Sequence, residues 1–363
     1  MQTKQTKSNF QSPISNFPST RRYPAEWESQ HCTWLSWPHN ENEWGKDRIG
    51  GEGDGGIRGF FEELIKIILD FQDVNLIFPN LQTLHATSLE IENHRHQLKK
   101  IILPNNDIWI RDYGPFFMET INGKKKKQLI LDFEFNAWGG KFPPWNLDNN
   151  IPKEIAFYLG AEMESYPIVM EGGSLEFSGD GLILTTEQCL LNKNRNPNLN
   201  KTDIENILKS AFNIEEIIWL KRGLEGDHTD GHIDDVARFI SPRKILICKS
   251  EDKKDGNYDH LQKSIEYLRK WKHPNNGEKL EIIELPMPDR MEIKNERLPN
   301  SYANFIFVNG GVIMPMFNCS ADKKAMEIFK KVFPKRKIVG IDCSVLIEEG
   351  GGLHCMSKQE PLV

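Results

Sequence analysis

Asn304-Phe305-Ile306-Phe307-Val308, Asn309-Gly310-Gly311 and Val312-Ile313-Met314-Pro315-Met316 follow one another directly, two apolar runs on either side of a turn. Runs rich in β-favouring residues and joined by Asn-Gly read as an antiparallel hairpin, because Asn and Gly accept the positive φ that a tight hairpin turn requires. Apolar residues at helical spacing then cover 321–332, and a further strand is predicted over 337–341. The unit is strand, strand, helix, strand.

The same order recurs upstream, and a recurring unit takes precedence over any single assignment. Predicted strands 116–121 and 128–135 flank Asn122-Gly123, with a helix over 152–159 and a strand over 162–168. Strands 174–177 and 182–186 flank Gly179-Asp180-Gly181, followed by helix 202–212 and strand 216–220. Strands 236–240 and 244–248 flank Ser241-Pro242, followed by helix 258–271 and strand 280–285. The N-terminal segment offers strand 33–37, helix 57–71 and strand 74–78, with a more polar helix before Ile101-Ile102-Leu103, but lacks one hairpin strand. The segment after Cys355 supplies it if the chain ends meet. This predicts an α/β fold of five similar blades around an axis, forming a single domain over 23–363. The stretches preceding the hairpins would then meet at the centre: 107–113, 171–173, 228–235, 298–302 and 350–355.

Composition narrows the partners. With 46 Lys and Arg against 52 Asp and Glu, a net charge of -6 and a pI near 6.0, the chain has no general basic footprint for nucleic acid and leans towards a neutral or cationic partner. Lys124 to Lys127 lie on a predicted hairpin tip and read as a solvated turn. The six cysteines are scattered without paired spacing, against a zinc knuckle, a redox CxxC or a disulfide framework, and free thiols imply a reducing compartment. No stretch approaches the ~18–20 apolar residues that span a bilayer, and a mean hydropathy of -0.53 agrees with a soluble, cytoplasmic protein. Residues 1–22 are polar, lack the apolar core of a signal peptide, and read as a disordered tail. The glycine-rich stretch 50–59 has no GK[ST] ending, so it reads as a mobile loop and a possible lid, not a phosphate loop. Trp27, Trp34, Trp37 and Trp44 read as core and rim, with one or two lining a pocket.

Chemistry concentrates in the pre-hairpin stretches. Three glycines in Gly350-Gly351-Gly352-Leu353-His354-Cys355 sacrifice side chains where a core would want them, so they suggest either a tight seat for a nucleophilic thiol or a flexible hairpin with an inert one. His232 and Asp234 are two apart and share a face if extended. His228, Asp230 and Asp235 nearby admit a metal reading, but a second ligand cluster is lacking and no metal is expected. In Asp107-Ile108-Trp109-Ile110-Arg111-Asp112, on a predicted strand or its end, Asp107 and Arg111 read as an internal ion pair and Asp112 as a pocket-edge acid. Glu171, before two glycines, is either a site acid or a turn carboxylate.

Together these residues resemble the agmatine deiminase branch of the guanidino-group-modifying, or pentein, superfamily. The resemblance runs from Pro24 to Pro361 and is carried by Trp34-Leu35-Ser36-Trp37-Pro38, the stretch from Asn106 to Pro115, Phe135-Asn136-Ala137-Trp138-Gly139-Gly140, Glu171-Gly172-Gly173-Ser174, the stretch from Leu190 to Pro197, Gly231-His232-Ile233-Asp234, Ser301-Tyr302-Ala303-Asn304-Phe305 and the stretch from Gly350 to Cys355. It implies a five-bladed α/β propeller with its site on the axis. Cys355 is then the nucleophile, His232 the general acid and base, Asp112 and Asp234 the guanidinium clamps, Glu171 the carboxylate supporting the histidine, and Trp109 a wall of the slot. The implied reaction is hydrolysis of agmatine to N-carbamoylputrescine and ammonia, a step of putrescine and polyamine biosynthesis, through an amidino-cysteine and without metal or organic cofactor. Alternatives are an arginine or peptidyl-arginine deiminase, a Cys/His amidase and a non-catalytic ligand-binding propeller. Family members are commonly homo-oligomers, though no interface is legible here. One departure stands out: where the family follows its cysteine with Ile-Thr-Gln-Gln, this chain has Met356-Ser357-Lys358-Gln359, which puts a charge near the site.

Overall fold

Each hairpin predicted from the repeats carries a third strand parallel to its second. In the computed structural model, which describes residues 20–45, 49, 56–87, 89 and 94–363, Ile306–Val308 pairs antiparallel with Gly311–Met316, which pairs parallel with Lys337–Asp342 after the helix Ala321–Val332. Phe116–Asn122, Lys125–Glu134 and Glu162–Val169 repeat the pattern, as do Glu176–Phe177, Leu182–Thr186 and Glu216–Leu220, and again Ala237–Ser241, Lys244–Lys249 and Glu281–Pro286. The parallel step needs a crossover, which the helices Ile151–Leu159, Lys201–Phe212 and Tyr258–Lys270 supply in turn. Lys201–Phe212 is delimited by sequence: Asn200 and Asp203 form a capping box, and Asn213 ends the helix at φ 52°.

The N-terminal unit closes as expected. Ser357–Pro361 pairs antiparallel with Gln30–Ser36, which continues in parallel to Asp73–Phe78 and Leu98–Ile102. Its helix, Ile57–Leu69, buries Ile57, Phe60, Phe61, Leu64, Ile65 and Ile68, an i, i+3, i+4 stripe. A small hairpin, Glu292–Ile293 with Glu296–Arg297, stands apart between the last two units. The fold is α/β, with one large apolar core and a second that includes Phe212, stacked on Phe133 and tilted against Phe177.

Four expectations need correction. Thr20–Arg22, assigned to the tail, forms an edge strand on Phe116–Asn122 and is held there by Arg21 on Glu164 at 2.7 Å and Arg22 on Glu119 at 2.7 Å. Residues 1–19 and most of the 50–59 loop lie outside the described residues. The stretch before Gly114 is a short helix, Ile110–Tyr113, not a strand, and Ile233–Asp235 is a single 3-10 turn, not extended chain. The strand expected over 174–177 shrinks to Glu176–Phe177 because Gly172–Ser174 turns.

The lysine run sits on the hairpin tip as expected, with Lys126 paired to Glu119 and Lys127 to Glu162 at 3.1 Å. All six cysteines are unbonded to one another. Among the described residues no helix is long and apolar enough to cross a membrane.

Candidate active site

The glycine run is a seat, not a flexible hairpin. A methyl added at Gly351 would lie 2.4 Å from the Trp109 ring, so only glycine lets the backbone lie flat on that indole. Cys355, 5% exposed, follows with its Sγ 3.3 Å from Asn304 Nδ2 and 3.9 Å from Asp234 Oδ2. Asn304 also accepts the His354 N–H at 2.7 Å, gripping backbone and sulfur together. The Arg111 N–H donates to the Cys355 carbonyl at 3.1 Å, tying the thiol's backbone to the helix that carries Asp112.

Asp112 Oδ1 accepts the Gly173 N–H at 2.8 Å, and its Oδ2 accepts Trp138 Nε1–H at 2.9 Å. His232 Nδ1 stands 3.7 Å from Asp112 Oδ1. Gly173 is the meeting point: a Cβ there would be 2.6 Å from His232 Nδ1, 2.8 Å from Asp112 Oδ1 and 2.9 Å from Asp234 Oδ2. The 3-10 turn thus does what an extended segment was expected to do, delivering His232 and Asp234 to one place. Glu171 is fully buried on Arg195 Nε at 2.6 Å, and its carboxylate lies within 4.8 Å of His232 and the Cys189 sulfur. Among the described residues, both His232 ring nitrogens and Asp234 Oδ1 are buried without a hydrogen-bond partner. Buried polar atoms are rarely left so, and where they are, a ligand group is one explanation.

Of these groups Asp112 and Cys355 line a cleft of about 180 Å³ walled by Trp44, Trp109, Trp138 and Phe142, while His232, Asp234 and Glu171 are fully buried beside them. Trp44 and Trp109 stack at 6.3 Å. Asp107, His228, Thr229 and Glu349 complete its lining, and no Lys or Arg appears among the described lining residues.

Burial pushes the Asp112 carboxyl up to about 6, helped by Asp234 and Glu171, while His232 and the Trp138 hydrogen bond pull the other way. Burial followed by the charges of Asp234, Asp235 and Asp112 holds the Cys355 thiol well above its usual range. For His232 burial acts downward, yet Asp112, Cys189 and Glu171 outweigh it and the imidazolium is favoured. Burial would raise Asp234, but its bond to His354 and the charges around it keep it ionised. Such a pocket favours a cation, and a cation placed beside the sulfur reverses the largest charge penalty on the thiolate.

Five of the six residues singled out from the sequence, Cys355, His232, Asp112, Asp234 and Glu171, gather here from separate units, and Trp109 lines the same cleft. The Asp107–Arg111 pairing is corrected: Arg111 turns inward to Glu26 at 3.0 Å and Gln359 at 2.7 Å, whereas Asp107 faces the cleft. His228, Asp230 and Asp235 are drawn to different partners, Asp230 to Arg195 and Lys141, His228 to the Phe142 ring and Asp235 to Asn304. Lys358 is buried behind the site, its Nζ 3.3 Å from the Arg111 carbonyl and over the Phe116 ring at 4.4 Å. Sequence reasoning did not single out Asn304, Trp138, Cys189 and Arg195. The signal for Asn304, Trp138 and Arg195 lay inside motifs already marked, around 301–305, 135–140 and 190–197.

The profile of the Porphyromonas-type peptidyl-arginine deiminase family matches residues 22–361. The agmatine deiminase of Pseudomonas aeruginosa (strain LESB58) is 33% identical, over 94% of this chain and 95% of its own length. Among solved structures, a cysteine-to-serine variant of Campylobacter (C. jejuni) agmatine deiminase with substrate bound is 34% identical, covers 94% of this chain and 96% of its own, and superposes with a TM-score of 0.82. The agmatine deiminase of Enterococcus faecalis gives 31% identity, 94% and 96% coverage and a TM-score of 0.85.

Proposed function

The chain belongs to the Porphyromonas-type peptidyl-arginine deiminase family, and from that premise we propose that it is an agmatine deiminase, hydrolysing agmatine to N-carbamoylputrescine and ammonia. The observation that carries the reading is the convergence of Cys355, His232, Asp112 and Asp234, of which Asp112 and Cys355 line an aromatic-walled cleft with acids and no described Lys or Arg at its lining. We read the five three- and four-stranded sheets as blades of a closed five-bladed α/β propeller forming one domain, which would put this cleft on the axis.

A guanidinium is planar and donates in forks, so Asp112 and Asp234 are suited to hold it from two sides. Binding of the cation with release of the Cys355 proton leaves the site's charge unchanged, which removes the penalty on the thiolate. Cys355 Sγ attacks the guanidinium carbon and forms a C–S bond. His232, kept protonated by its acidic neighbours, gives its proton to the departing nitrogen; the C–N bond breaks and ammonia leaves. His232 then takes a proton from water, the oxygen adds to the same carbon, and the C–S bond breaks to release the ureido product and restore the thiol. Glu171, anchored on Arg195, supports the imidazolium through both proton transfers.

Agmatine's second cation would meet Asp107 and Glu349, whereas the carboxylate of arginine would meet no described Lys or Arg at the cleft. Lys358, the residue that departs from the family pattern, sits behind the clamp and not in the lining. We therefore expect kcat/KM for agmatine at least about a hundredfold above arginine, roughly 2.7 kcal/mol at the transition state. Ureido product measured from both compounds under matched conditions tests it; comparable rates would refute the substrate assignment.

A further inference from the structure

Asp234 does not end at the cleft. Its Oδ2 lies 2.7 Å from Nδ1 of His354, and Nε2 of the same ring lies 2.8 Å from Oε1 of Glu26. Glu26 in turn receives Arg111 at 3.0 Å and Arg238 at 2.6 Å, and Arg238 continues to Glu176 at 2.7 Å. His354, Asp234 and Arg238 are fully buried. A nitrogen and an oxygen at this distance need a proton between them, and neutral imidazole supplies one, not two. The chain Asp234–His354–Glu26 must therefore keep a second proton, on the ring or on a carboxyl. Burial would raise Glu26, but the charge of His354 and then those of Arg238 and Arg111 keep that carboxylate ionised, while burial and the same two guanidiniums act against a charge on the His354 ring.

We propose that His354 is a positioning residue for the reaction: bonded at both ring nitrogens, it fixes one oxygen of Asp234 and leaves the other with its lone pairs open to accept from the guanidinium. The inference rests on the deiminase reading above. Its geometry is asymmetric in the useful sense. Oδ2 is held by His354, while Oδ1, buried and without a partner among the described residues, is the oxygen left for substrate. Oδ2 is itself the oxygen 3.9 Å from the Cys355 sulfur, so the same bond also sets how near that negative charge stands to the thiol, and a closer approach would raise the thiol further. His354 is fixed from above by Asn304, which holds its backbone N–H, and from below by Glu26 with its two arginines.

The test is a double-mutant cycle. His354→Gln, whose amide can donate to only one of the two carboxylates while facing the other with its oxygen, is expected to lower kcat/KM for agmatine at least tenfold. In an Asp234→Asn background the same substitution is expected to cost less than threefold, because the group it acts through is gone. An equal loss in both backgrounds, or no loss in the first, overturns the proposal. If the substituted chains do not fold, wild-type protein labelled with 15N-histidine decides. Nitrogen shifts showing both His354 ring nitrogens hydrogen-bonded, each as an exchange-protected N–H donor or as the acceptor of a carboxyl proton, are expected, and a ring nitrogen free of any hydrogen bond overturns it. A wild-type protein that does not turn over agmatine would instead refute the functional reading, and the spectrum would still decide this one.

Discussion

Replacing Trp138 with Phe keeps an aromatic ring in the cleft wall and deletes one N–H, the donor 2.9 Å from Asp112 Oδ2. That hydrogen bond goes to the ionised form of an acid that burial has already raised to about 6. Asp112 must be ionised to hold a guanidinium, so kcat/KM in the wild type should fall as pH drops through about 6. A hydrogen bond to a charged group contributes about 1.5–3 kcal/mol, and one pH unit corresponds to about 1.4 kcal/mol. Losing the donor should therefore move the acid limb up by roughly 1 to 2 pH units. The variant should lose about 10- to 100-fold in kcat/KM below pH 6 and recover to within about twofold near pH 9, where Asp112 is ionised in both proteins. The assay is ureido product from agmatine at subsaturating concentration across pH 5 to 9. A loss of equal size at every pH would mean that Trp138 shapes the wall and does not tune the acid, and an unmoved limb would remove Asp112 as its origin.

Cys355→Ser should abolish turnover yet retain much of the guanidinium binding, because the clamps stay in place; isothermal titration with agmatine beside a single-turnover assay checks both halves. Dialysis against a strong chelator should leave activity intact, and a loss restored by one divalent ion would revive the metal reading. Lys358→Met should stabilise the fold. Burial and then Arg111 depress the Lys358 amine well below its ordinary range, so between its folded pKa and the unfolded value of about 10.4 the unfolded chain binds more protons and wild-type stability rises with pH. The gain from Lys358→Met should accordingly be larger at pH 7 than at pH 9.5 in urea unfolding; a gain independent of pH would mean the amine is not desolvated.

The units were legible because each carries its own signals within a short window. Asn309-Gly310-Gly311 marks a turn, and the helix 321–332 shows its period without reference to anything distant. The closing strand was legible by subtraction, since the first unit lacked one partner. The conformation of the site stretches was not. Asp112 sits where it does because Gly173 and Trp138 donate to it, and Arg111 because Glu26 and Gln359 receive it, contacts that exist only once separate units have met. The ionisable residue types could be picked out, but their pairing could not: Asp107 and Arg111 look like partners four apart in sequence, and the fold sends them in different directions. Asn304 illustrates the same limit, an amide whose role depends entirely on the arrival of Cys355.

The register that sets Ser357 opposite Leu35 fixes an order of events during synthesis. As the chain leaves the ribosome, the three later hairpin units and the one after the first can each complete local pairings soon after they emerge, but Gln30–Ser36 must wait with one edge open for a strand made after all the other described strands. An open strand edge carrying Trp34 and Leu35 is a template for pairing with another chain. Cys355 lies two residues before Ser357–Pro361, so the thiol reaches its acids as that strand pairs with Gln30–Ser36, and a nascent chain cannot hold a working site before Ser357–Pro361 is free. Loss of even a few residues after Met356 would then remove the thiol's support and leave the first strand exposed, a lesion felt as aggregation before it is felt as lost turnover.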